Sequence, residues 1–320
     1  MFWKNETILR EFVLLGLSSD PKTQVALFIV FTSMYTIILI GNFLIIVLVL
    51  TDANLHTPMY FFLTNLSFLD LCYSTSTLPR MLKDFLSVNK VIPYGECVAQ
   101  MYISLSLGVC ECALLVVMAY DRYVAICYPL HYTTIMSKMV CVRLAVGTWM
   151  CGFLLNIPSV IVTFNLHLCG HNKINHFLCE GPAILSLGCG NLISMELINY
   201  ILSIIILLTP VTFIVISYVN IILSILKIAS SSGRRKAFST CGSHMMVVAI
   251  FYGSAMASYM KPRSSSLPGT DKVISIFYGI VTPMLNPMIY TLKNNDVKAA
   301  FMKLIKKINS DIVVSGNNNN

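Results

Sequence analysis

Apolar residues along this chain gather in long runs that alternate with short polar stretches. Each run approaches or exceeds the roughly 20 residues that an α-helix needs to cross a bilayer. The pattern predicts seven membrane-spanning helices at about residues 24–50, 58–86, 96–127, 139–163, 197–228, 237–260 and 272–292.

Composition supports a membrane location. The 320 residues are 56% hydrophobic and only 11% charged, whereas soluble domains commonly carry about 25% charged residues. So few charges cannot cover a water-facing surface, and the apolar side chains must face lipid. We therefore predict an all-α membrane protein, and an odd number of spans places its termini on opposite sides.

Basic residues are concentrated on one side of the predicted bundle, which the positive-inside rule makes cytoplasmic. Residues 293–320 then form a cytoplasmic tail and residues 1–23 an extracellular terminus. Asn5 begins an acceptor motif, Asn5-Glu6-Thr7, and would be glycosylated on that outer side. The basic residues are Lys138, Arg143, Lys227, Arg234, Arg235, Lys236, Lys293, Lys298, Lys303, Lys306 and Lys307.

Four of the eleven cysteines fall on the predicted outer side, where an oxidising environment favours disulfides. They are Cys97, Cys169, Cys179 and Cys189. Four cysteines permit three pairings, and their spacing does not choose among them.

The outer loop at 164–196 also contains His167, His171, His176 and Glu180. His176, Cys179 and Glu180 offer an imidazole, a thiolate and a carboxylate, so a copper or zinc site is one interpretation. We favour the other interpretation, in which Cys179 is oxidised and the histidines are solvated loop residues.

Two carboxyl groups are predicted at mid-depth in the membrane, Asp70 in the second run and Glu111 in the third. Because an ionisable group in hydrocarbon is costly, such residues indicate function. With Asn42 and Asn286 at similar depth, they could share a proton or hold a small cation. The alternative is a polar cluster that only holds helices together.

Asp121 and Arg122 stand at the inner end of the third run. Arg122 can pair with Asp121, or release it and turn inward, so the two residues offer two arrangements of modest energy difference. An arginine that merely reaches lipid phosphates would leave the adjacent acid unexplained. The pair indicates a conformational switch.

Five stretches carry a family resemblance. They are Gly41-Asn42, LHTPMYFFLTNLSFLD at 55–70, MAYDRYVAICYPLHY at 118–132, KAFSTCGSHMMVV at 236–248 and PMLNPMIYTLKN at 283–294. In this order and at these separations, the chain resembles the vertebrate olfactory receptors of the tetrapod type (class II), which are rhodopsin-like (class A) G-protein-coupled receptors. The resemblance covers all seven spans and implies a rhodopsin-like bundle in the plasma membrane.

The resemblance implies disulfides between Cys97 and Cys179 and between Cys169 and Cys189, which would hold the outer loop as a lid over a cavity. It also implies a cytoplasmic switch that engages a heterotrimeric, stimulatory, olfactory-type G protein and raises cyclic AMP. Pro287 would be a hinge, since proline removes a backbone hydrogen bond. The switch residues are Asp121, Arg122, Tyr123, Tyr218, Lys236, His244, Asn286, Pro287 and Tyr290.

Helical period predicts the cavity lining, starting from Cys97 at the outer end of the third helix. On that helix the inward residues are Met101, Ser104, Leu105, Gly108, Val109 and Cys112. Opposite them we expect Leu202, Ser203, Ile206, Leu207, Tyr252, Ala255, Met256, Tyr259, Ile276 and Gly279. Tyr252 stands where related receptors outside this family usually have a tryptophan.

This mostly apolar lining suits a small, hydrophobic, neutral odorant with one hydrogen-bonding group. We expect no basic residue to point inward, which disfavours a carboxylate-specific site. For each lining residue taken singly, ordinary helix packing is an alternative.

Beyond the last span, apolar residues recur at helical spacing among lysines. They are Val297, Phe301, Leu304, Ile305 and Ile308. The pattern predicts a short amphipathic eighth helix at about 294–308, lying on the anionic inner leaflet of lipid.

Other classes of protein fit less well. No residues form a catalytic constellation, which disfavours an enzyme, and no inverted repeat indicates a transporter. The remaining alternative is a rhodopsin-like receptor for a non-odorant small molecule outside the olfactory epithelium. We expect no cofactor, no metal and no nucleic-acid partner.

Overall fold

The structure is a computed structural model that describes residues 10–166, 172–189, 192–260, 269–292 and 295–317. Asn5, His167, Cys169 and His171 lie outside these ranges. In chain order the strands and α-helices are β1 (Glu11–Leu14), α1 (Pro21–Thr51), α2 (Pro58–Phe85), β2 (Val91–Pro93), α3 (Tyr94–Cys127), α4 (Tyr132–Ile135), α5 (Lys138–Leu155), α6 (Ile157–Phe164), β3 (Lys173–Ile174), α7 (Gly181–Leu185), α8 (Ile193–Ser203), α9 (Thr209–Leu226), α10 (Ser231–Tyr259), α11 (Thr270–Ile276), α12 (Thr282–Leu292) and α13 (Asn295–Asn317).

The long helices form one bundle with an apolar exterior. Six helical stretches of the described chain are long and apolar enough to cross a membrane, and they run 21–51, 94–127, 138–164, 193–226, 231–259 and 270–290. The helix α2 lies between α1 and α3 in the chain and packs against both of them. With α2, the described residues contain seven spans. Large side chains such as Ile29, Phe43 and Phe213 point outward, as a lipid-facing surface requires.

Prolines interrupt three of the predicted spans. The fourth span is divided between α5 and α6, with Pro158 in the first turn of α6. The fifth and seventh each contain one wide π-helical turn, at Ile204–Leu208 and Phe277–Val281, immediately before a segment that begins Thr-Pro. A proline lacks the N–H that a regular turn needs, and the backbone adjusts locally around it.

The first helix begins at Pro21, three residues before the apolar run, because a polar cap precedes it. Asp20 Oδ2 accepts hydrogen bonds from the backbone N–H of Thr23 at 2.9 Å and from its hydroxyl at 2.7 Å. Pro21 occupies the first helical position, where a missing N–H costs nothing. Capping chemistry, not hydropathy, sets this boundary.

A three-stranded sheet covers one end of the bundle, which we call the lid end. β1 is the central strand, antiparallel to β2 with Phe12 opposite Ile92, and parallel to β3 with Leu14 opposite Ile174. Phe12 and Leu14 are fully buried beneath it. The sequence did not predict this sheet, because strands of two to four residues are too short for an alternating pattern to be recognised.

The residues 172–189, which we call the lid segment, contain β3 and cross the lid end. We predicted an outer loop here, and the segment contains the short helix α7. At the opposite end, which we call the DRY end, α13 packs against the bundle through buried Val297 and Ala300.

The tail helix is longer than the sequence indicated. We predicted a helix at about 294–308, and α13 runs from Asn295 to Asn317. No proline occurs in this stretch, so backbone chemistry does not end the helix where the apolar pattern fades. Lys303 Nζ lies 3.0 Å from Asp52 Oδ2 and ties α13 to the end of α1.

Glycines permit two close helix contacts. A Cβ at Gly41 of α1 would lie 2.9 Å from Pro287 Cγ of α12. A Cβ at Gly152 of α5 would lie 2.1 Å from Cys110 Sγ and 2.6 Å from Ser106 O of α3. Both distances are far inside van der Waals contact, so these helices approach closely only because no side chain intervenes.

Replacing Gly152 by alanine should therefore destabilise the bundle. Overpacking of this kind costs about 1–3 kcal/mol, and the Ser106 carbonyl belongs to a backbone that cannot move aside. We expect Gly152→Ala to lower the amount of receptor at the cell surface, measured by surface biotinylation. Gly147→Ala is the matched control on the same helix, because a Cβ there meets nothing within 4 Å. Equal surface levels for both variants would contradict the packing argument.

Candidate functional site

A cavity of about 860 Å³ lies inside the bundle at the lid end. Residues of α3, of the fourth to seventh spans and of the lid segment line it. This volume falls within the range of small-molecule sites in proteins. The described part of the bundle thus contains a space large enough for a small organic ligand.

A disulfide attaches the lid segment to α3. Cys97 and Cys179 are bonded, with their Cα atoms 5.5 Å apart, as the resemblance implied. The Cys179 N–H also donates to Gln100 Oε1 at 3.0 Å. Cys189 takes part in a disulfide as well, but its expected partner Cys169 lies outside the described residues. Together the bond and the hydrogen bond fix the position of the residues that follow Cys179.

The alternative metal site at His176, Cys179 and Glu180 is wrong as drawn from the sequence. The sulfur of Cys179 is bonded to Cys97 and cannot act as a thiolate ligand. His176 is also buried, with 3% of its surface exposed, and is not the solvated loop residue that we expected. It lies beneath the sheet, where Gly16 N–H donates to its carbonyl oxygen at 3.1 Å.

Most residues predicted from helical period do line the cavity. The set spans α3, the fifth span and α10, as expected for inward faces. Its members are Ser104, Leu105, Gly108, Val109, Cys112, Leu202, Ser203, Ile206, Leu207, Ala255 and Tyr259.

Five other predicted residues lie elsewhere in the described structure. Met101 is buried under the lid, where its Cε lies 3.5 Å from the position of a Cβ on Gly181. Ile276 packs in an apolar cluster with α1 and α2, and Gly279 faces the ring of Tyr73. Met256 packs on the main core. A helical period defines a broad face, and only packing decides which residues at its edge reach the cavity.

Tyr252, the fifth of these residues, joins two helices instead of lining the cavity. Its hydroxyl donates to the carbonyl oxygen of Cys112 at 2.9 Å, and its side chain is almost fully buried. Cys112 itself lines the cavity. Tyr252 therefore connects α10 to α3 through a residue of the cavity wall.

The prediction missed a set of polar lining residues. Two of them interrupt the apolar fourth run, and polar residues within a span are a recognisable signal. The others come from α2, the lid segment and the seventh span, whose placement no spacing reveals. The missed residues include Tyr73, Asn156, Ser159, His176, Glu180, Lys272 and Tyr278.

Lys272 corrects the expectation that no basic residue faces the cavity. Its ammonium group donates to Gly16 O at 2.7 Å and so connects the seventh span to the segment that follows β1. The predicted lining of the seventh span begins at Ile276, four residues further along the chain, and therefore does not include Lys272.

Glu180 is held by two hydroxyl donors from the seventh span. Tyr278 donates to Oε1 at 2.6 Å, and Ser275 donates to Oε2 at 3.1 Å. His176 Nε2 lies 3.9 Å from Oε2, and its Nδ1 accepts from the N–H of Leu178 at 3.1 Å. Burial lowers the pKa of His176 despite the neighbouring carboxylate, so the imidazole is neutral at neutral pH.

The mid-depth cluster contains three of the four predicted residues. Asn286 Nδ2 donates to Asp70 Oδ2 at 2.9 Å, and Glu111 is buried close enough to interact electrostatically with Asp70. Two buried carboxyl groups at such proximity cannot both remain charged without compensation.

Asn42 serves a different purpose from the one predicted. Its side chain donates to Pro283 O at 3.1 Å and to Ile38 O at 3.0 Å. Pro287 has no N–H to offer the carbonyl of Pro283, four residues earlier, and Asn42 supplies the missing donor from α1. Asn42 is therefore a structural link between the first and seventh spans.

At the DRY end, the side chains of Asp121 and Arg122 make different contacts, although the Arg122 charge still acts on Asp121. Asp121 Oδ1 accepts a hydrogen bond from Tyr132 of α4 at 2.7 Å. Arg122 contacts Met59 Sδ instead and interacts electrostatically with buried groups that include Tyr218 and His244. In the described residues, the two neighbours form no ion pair. Of the two arrangements inferred from the sequence, this is the released one.

Three other predicted switch residues lie near enough to Arg122 to interact with it electrostatically, and they are Tyr218, His244 and Tyr290. The Tyr218 hydroxyl lies 2.8 Å from His244 Nδ1, and the two rings stack. The Tyr290 hydroxyl is buried near Arg122 without a hydrogen-bond partner in the described residues. Tyr123 lies further out, 3.4 Å from the Tyr128 hydroxyl. Lys236 belongs to α10.

A seven-span bundle with a lidded cavity at one end and an Asp-Arg-Tyr cluster at the other is the architecture of a rhodopsin-like receptor. The sequence model of the family described as "Olfactory receptor" matches residues 31–308. The chain is 48% identical over 307 residues to human "Olfactory receptor 2B2", covering 96% of this chain and 86% of that protein. It is 49% identical over 308 residues to mouse "Olfactory receptor 2B6", covering 96% and 98%. Dog "Olfactory receptor-like protein OLF3" is 49% identical over 304 residues, covering 95% and 96%.

The chain belongs to the olfactory receptor family. It is accordingly a multi-pass membrane protein and an odorant receptor of the G-protein-coupled class, a signalling receptor and not an enzyme.

Without the disulfide between Cys97 and Cys179, the lid segment should no longer be held against α3. Loss of a native disulfide typically costs about 2–5 kcal/mol. We expect Cys179→Ser to reduce the receptor at the cell surface severely, measured by surface biotinylation. Cys151→Ser is the control, because Cys151 is an exposed free thiol. A Cys179→Ser variant that reached the surface at the level of the control would show that the lid is held without the bond.

Proposed function

We propose that this receptor binds a small, mostly hydrophobic odorant beneath the lid and activates a stimulatory, olfactory-type G protein from its DRY end, which raises cyclic AMP. The observation that carries the proposal is the cavity of about 860 Å³ at the opposite end of the bundle from Asp121 and Arg122.

The cavity wall supports a mainly apolar ligand. The inner faces of α3, the fifth span and α10 contribute apolar side chains to the wall, such as Val109, Ile206 and Phe251. Binding there would be driven by desolvation and by fit to the wall. The polar groups under the lid would then fix the orientation of the ligand.

We place the lid end outside the cell and the DRY end in the cytoplasm. The disulfide of the lid segment favours the oxidising side, and the lysines of α13 favour the cytoplasmic side by the positive-inside rule. In this orientation, Asn5 is extracellular and available for glycosylation, and α13 is a cytoplasmic helix beside the inner leaflet. The receptor would act in the plasma membrane.

The DRY end offers two arrangements that a ligand can bias. Asp121 accepts from Tyr132 while Arg122 faces Tyr218 and His244. In the alternative arrangement, Asp121 would leave Tyr132 and pair with Arg122. A ligand shifts this equilibrium only if it binds the two states with different affinity. α3 connects both ends, because it carries cavity residues, Glu111 and the Asp121-Arg122 pair.

The proposal is tested by expressing the full chain in cells that contain a stimulatory olfactory-type G protein. Within a broad panel of small volatiles, we expect at least one to raise cyclic AMP in a concentration-dependent manner. Arg122→Ala should reach the surface normally and reduce the response to the level of untransfected cells, because the charged partner of the switch is gone.

Arg143→Ala is the matched control, an exposed arginine on α5 that forms no predicted part of the switch. It should signal as the unmodified receptor does. If Arg122→Ala signals normally, the switch assignment is wrong. If no volatile raises cyclic AMP in any variant that reaches the surface, the proposed function itself fails.

Gly108 offers a test of where the ligand lies. It lines the cavity, and a Cβ there meets nothing within 4 Å. Gly108→Val should fold normally but reduce the space, so the bulkiest active odorants should lose about tenfold or more in potency, as lost contacts of 1–3 kcal/mol imply. Small odorants should be affected less. Gly147→Val, outside the cavity, is the control, and equal effects on every odorant would argue against this site.

A further inference from the structure

The geometry of the lid assigns a ligand class to the cavity. We propose that Glu180 and the tyrosines Tyr73, Tyr259 and Tyr278 form a site for the ammonium group of a small aliphatic amine, whose hydrocarbon chain extends toward α3 and the fifth span. This inference rests on the proposed function, since it specifies the odorant that the same cavity accepts.

Glu180 is a carboxylate positioned by the fold to face a ligand. It follows Cys179, whose disulfide fixes the backbone, and its oxygens accept from Tyr278 and Ser275. Each carboxylate oxygen can accept a further hydrogen bond, and Glu180 lines the cavity. The two hydroxyls fix its orientation and leave acceptor capacity for an incoming donor.

In the described residues, Glu180 has no permanently charged basic partner. No lysine or arginine in the described ranges lies within ion-pair distance of it, and the one basic neighbour is His176, at 3.9 Å. The His176 imidazole is buried and lacks a hydrogen-bond partner at Nε2 among the described residues. Burial lowers the pKa of His176, which favours its neutral form at neutral pH. Lys272 directs its ammonium group to Gly16 O.

A buried carboxylate without a cation is costly. A ligand that brings its own positive charge removes this cost and adds a charge-assisted hydrogen bond. An alcohol could donate a hydrogen bond to Glu180 but would leave the charge uncompensated. A carboxylic acid, ionised at neutral pH, would be repelled.

Three aromatic rings complete the site. The Tyr259 and Tyr278 rings lie 6.0 Å apart, with their hydroxyls separated by 3.4 Å. Tyr73 interacts electrostatically with Tyr259 and with Glu180, which places it in the same cluster. All three tyrosines line the cavity. Aromatic faces around a carboxylate attract an ammonium group through cation–π interactions.

The far side of the cavity suits the hydrocarbon chain of such an amine. Val109, Leu202 and Leu207 line it without an ionisable group. An aliphatic amine therefore has one end for each part of the cavity, an ammonium group for Glu180 and a hydrocarbon chain for the apolar wall.

The inference is tested with ligands that share one carbon chain. Primary n-alkyl amines of several lengths are compared with the alcohols and carboxylic acids of the same length, by cyclic AMP in cells expressing the full receptor and in untransfected cells. We expect the best amine to act at concentrations about tenfold or more below those of its alcohol, as a charge-assisted hydrogen bond implies. The acids should be inactive.

Glu180→Gln keeps an oxygen that accepts from Tyr278 or Ser275 but removes the charge. It should bring the potency ratio of amine to alcohol close to one, and this ratio is independent of how much receptor reaches the surface. Glu96→Gln is the matched control, because Glu96 is an exposed acid at the lid end that pairs with Arg80 outside the cavity. It should leave the ratio unchanged.

A second measurement needs no variant. An amine with two fluorines on the carbon next to its amine-bearing carbon has nearly the same shape but a much lower pKa, so a large fraction of it is neutral at neutral pH and its potency should fall toward that of the alcohol. If alcohols or ketones activate the receptor and amines have no advantage, the amine site is wrong while the proposed function stands. An amine preference that persists in Glu180→Gln would also overturn the site. A receptor that answers to no volatile of any class would refute the proposed function itself.

Discussion

Inside a bilayer, every backbone N–H and C=O group must find its partner within the protein, because no water is available. This constraint explains the places where the helices of this receptor are irregular. Pro287 leaves the Pro283 carbonyl without a donor, and Asn42 of the first span provides one at 3.1 Å. The wide turn at Phe277–Val281 is closed by Thr282, whose backbone N–H donates to Phe277 O and whose hydroxyl donates to the same oxygen at 3.0 Å. Irregular backbone is thus stabilised by specific contacts.

The cost of placing charge in hydrocarbon has a related effect, and buried ionisable residues of the spans and the lid segment form three groups at different depths. Glu180 and its hydroxyl donors lie under the lid, Asp70 and Glu111 lie at mid-depth, and Asp121 and Arg122 lie at the DRY end. α3 contributes to all three levels, since Ser104 and Gly108 line the cavity above Glu111. One continuous helix thus runs from the cavity past Glu111 to the Asp121-Arg122 pair.

In the lid segment, a disulfide determines where the acidic group of the cavity lies. The bond between Cys97 and Cys179 fixes the backbone next to Glu180, and β1 and Lys272 hold the surrounding segments through hydrogen bonds. Without this arrangement, Glu180 would be a solvated loop residue. With the disulfide and these hydrogen bonds in place, the Glu180 carboxylate faces the cavity beside Tyr278 and Tyr259. Burial keeps the neighbouring His176 imidazole neutral.

The sequence alone determined the class of fold and the family, because apolar runs near 20 residues and motifs such as MAYDRYVAICYPLHY are local in the chain. It also indicated most of the lining residues of α3, of α8 and of the wide turn that follows α8, and half of those expected on α10, since helical period is local too. It did not indicate that Tyr252 faces Cys112, that Asn42 serves Pro283 or that Glu180 lies beside Tyr278. Those contacts join residues 98 to 241 positions apart. Helix rotation and lid placement, which no local pattern encodes, decide them.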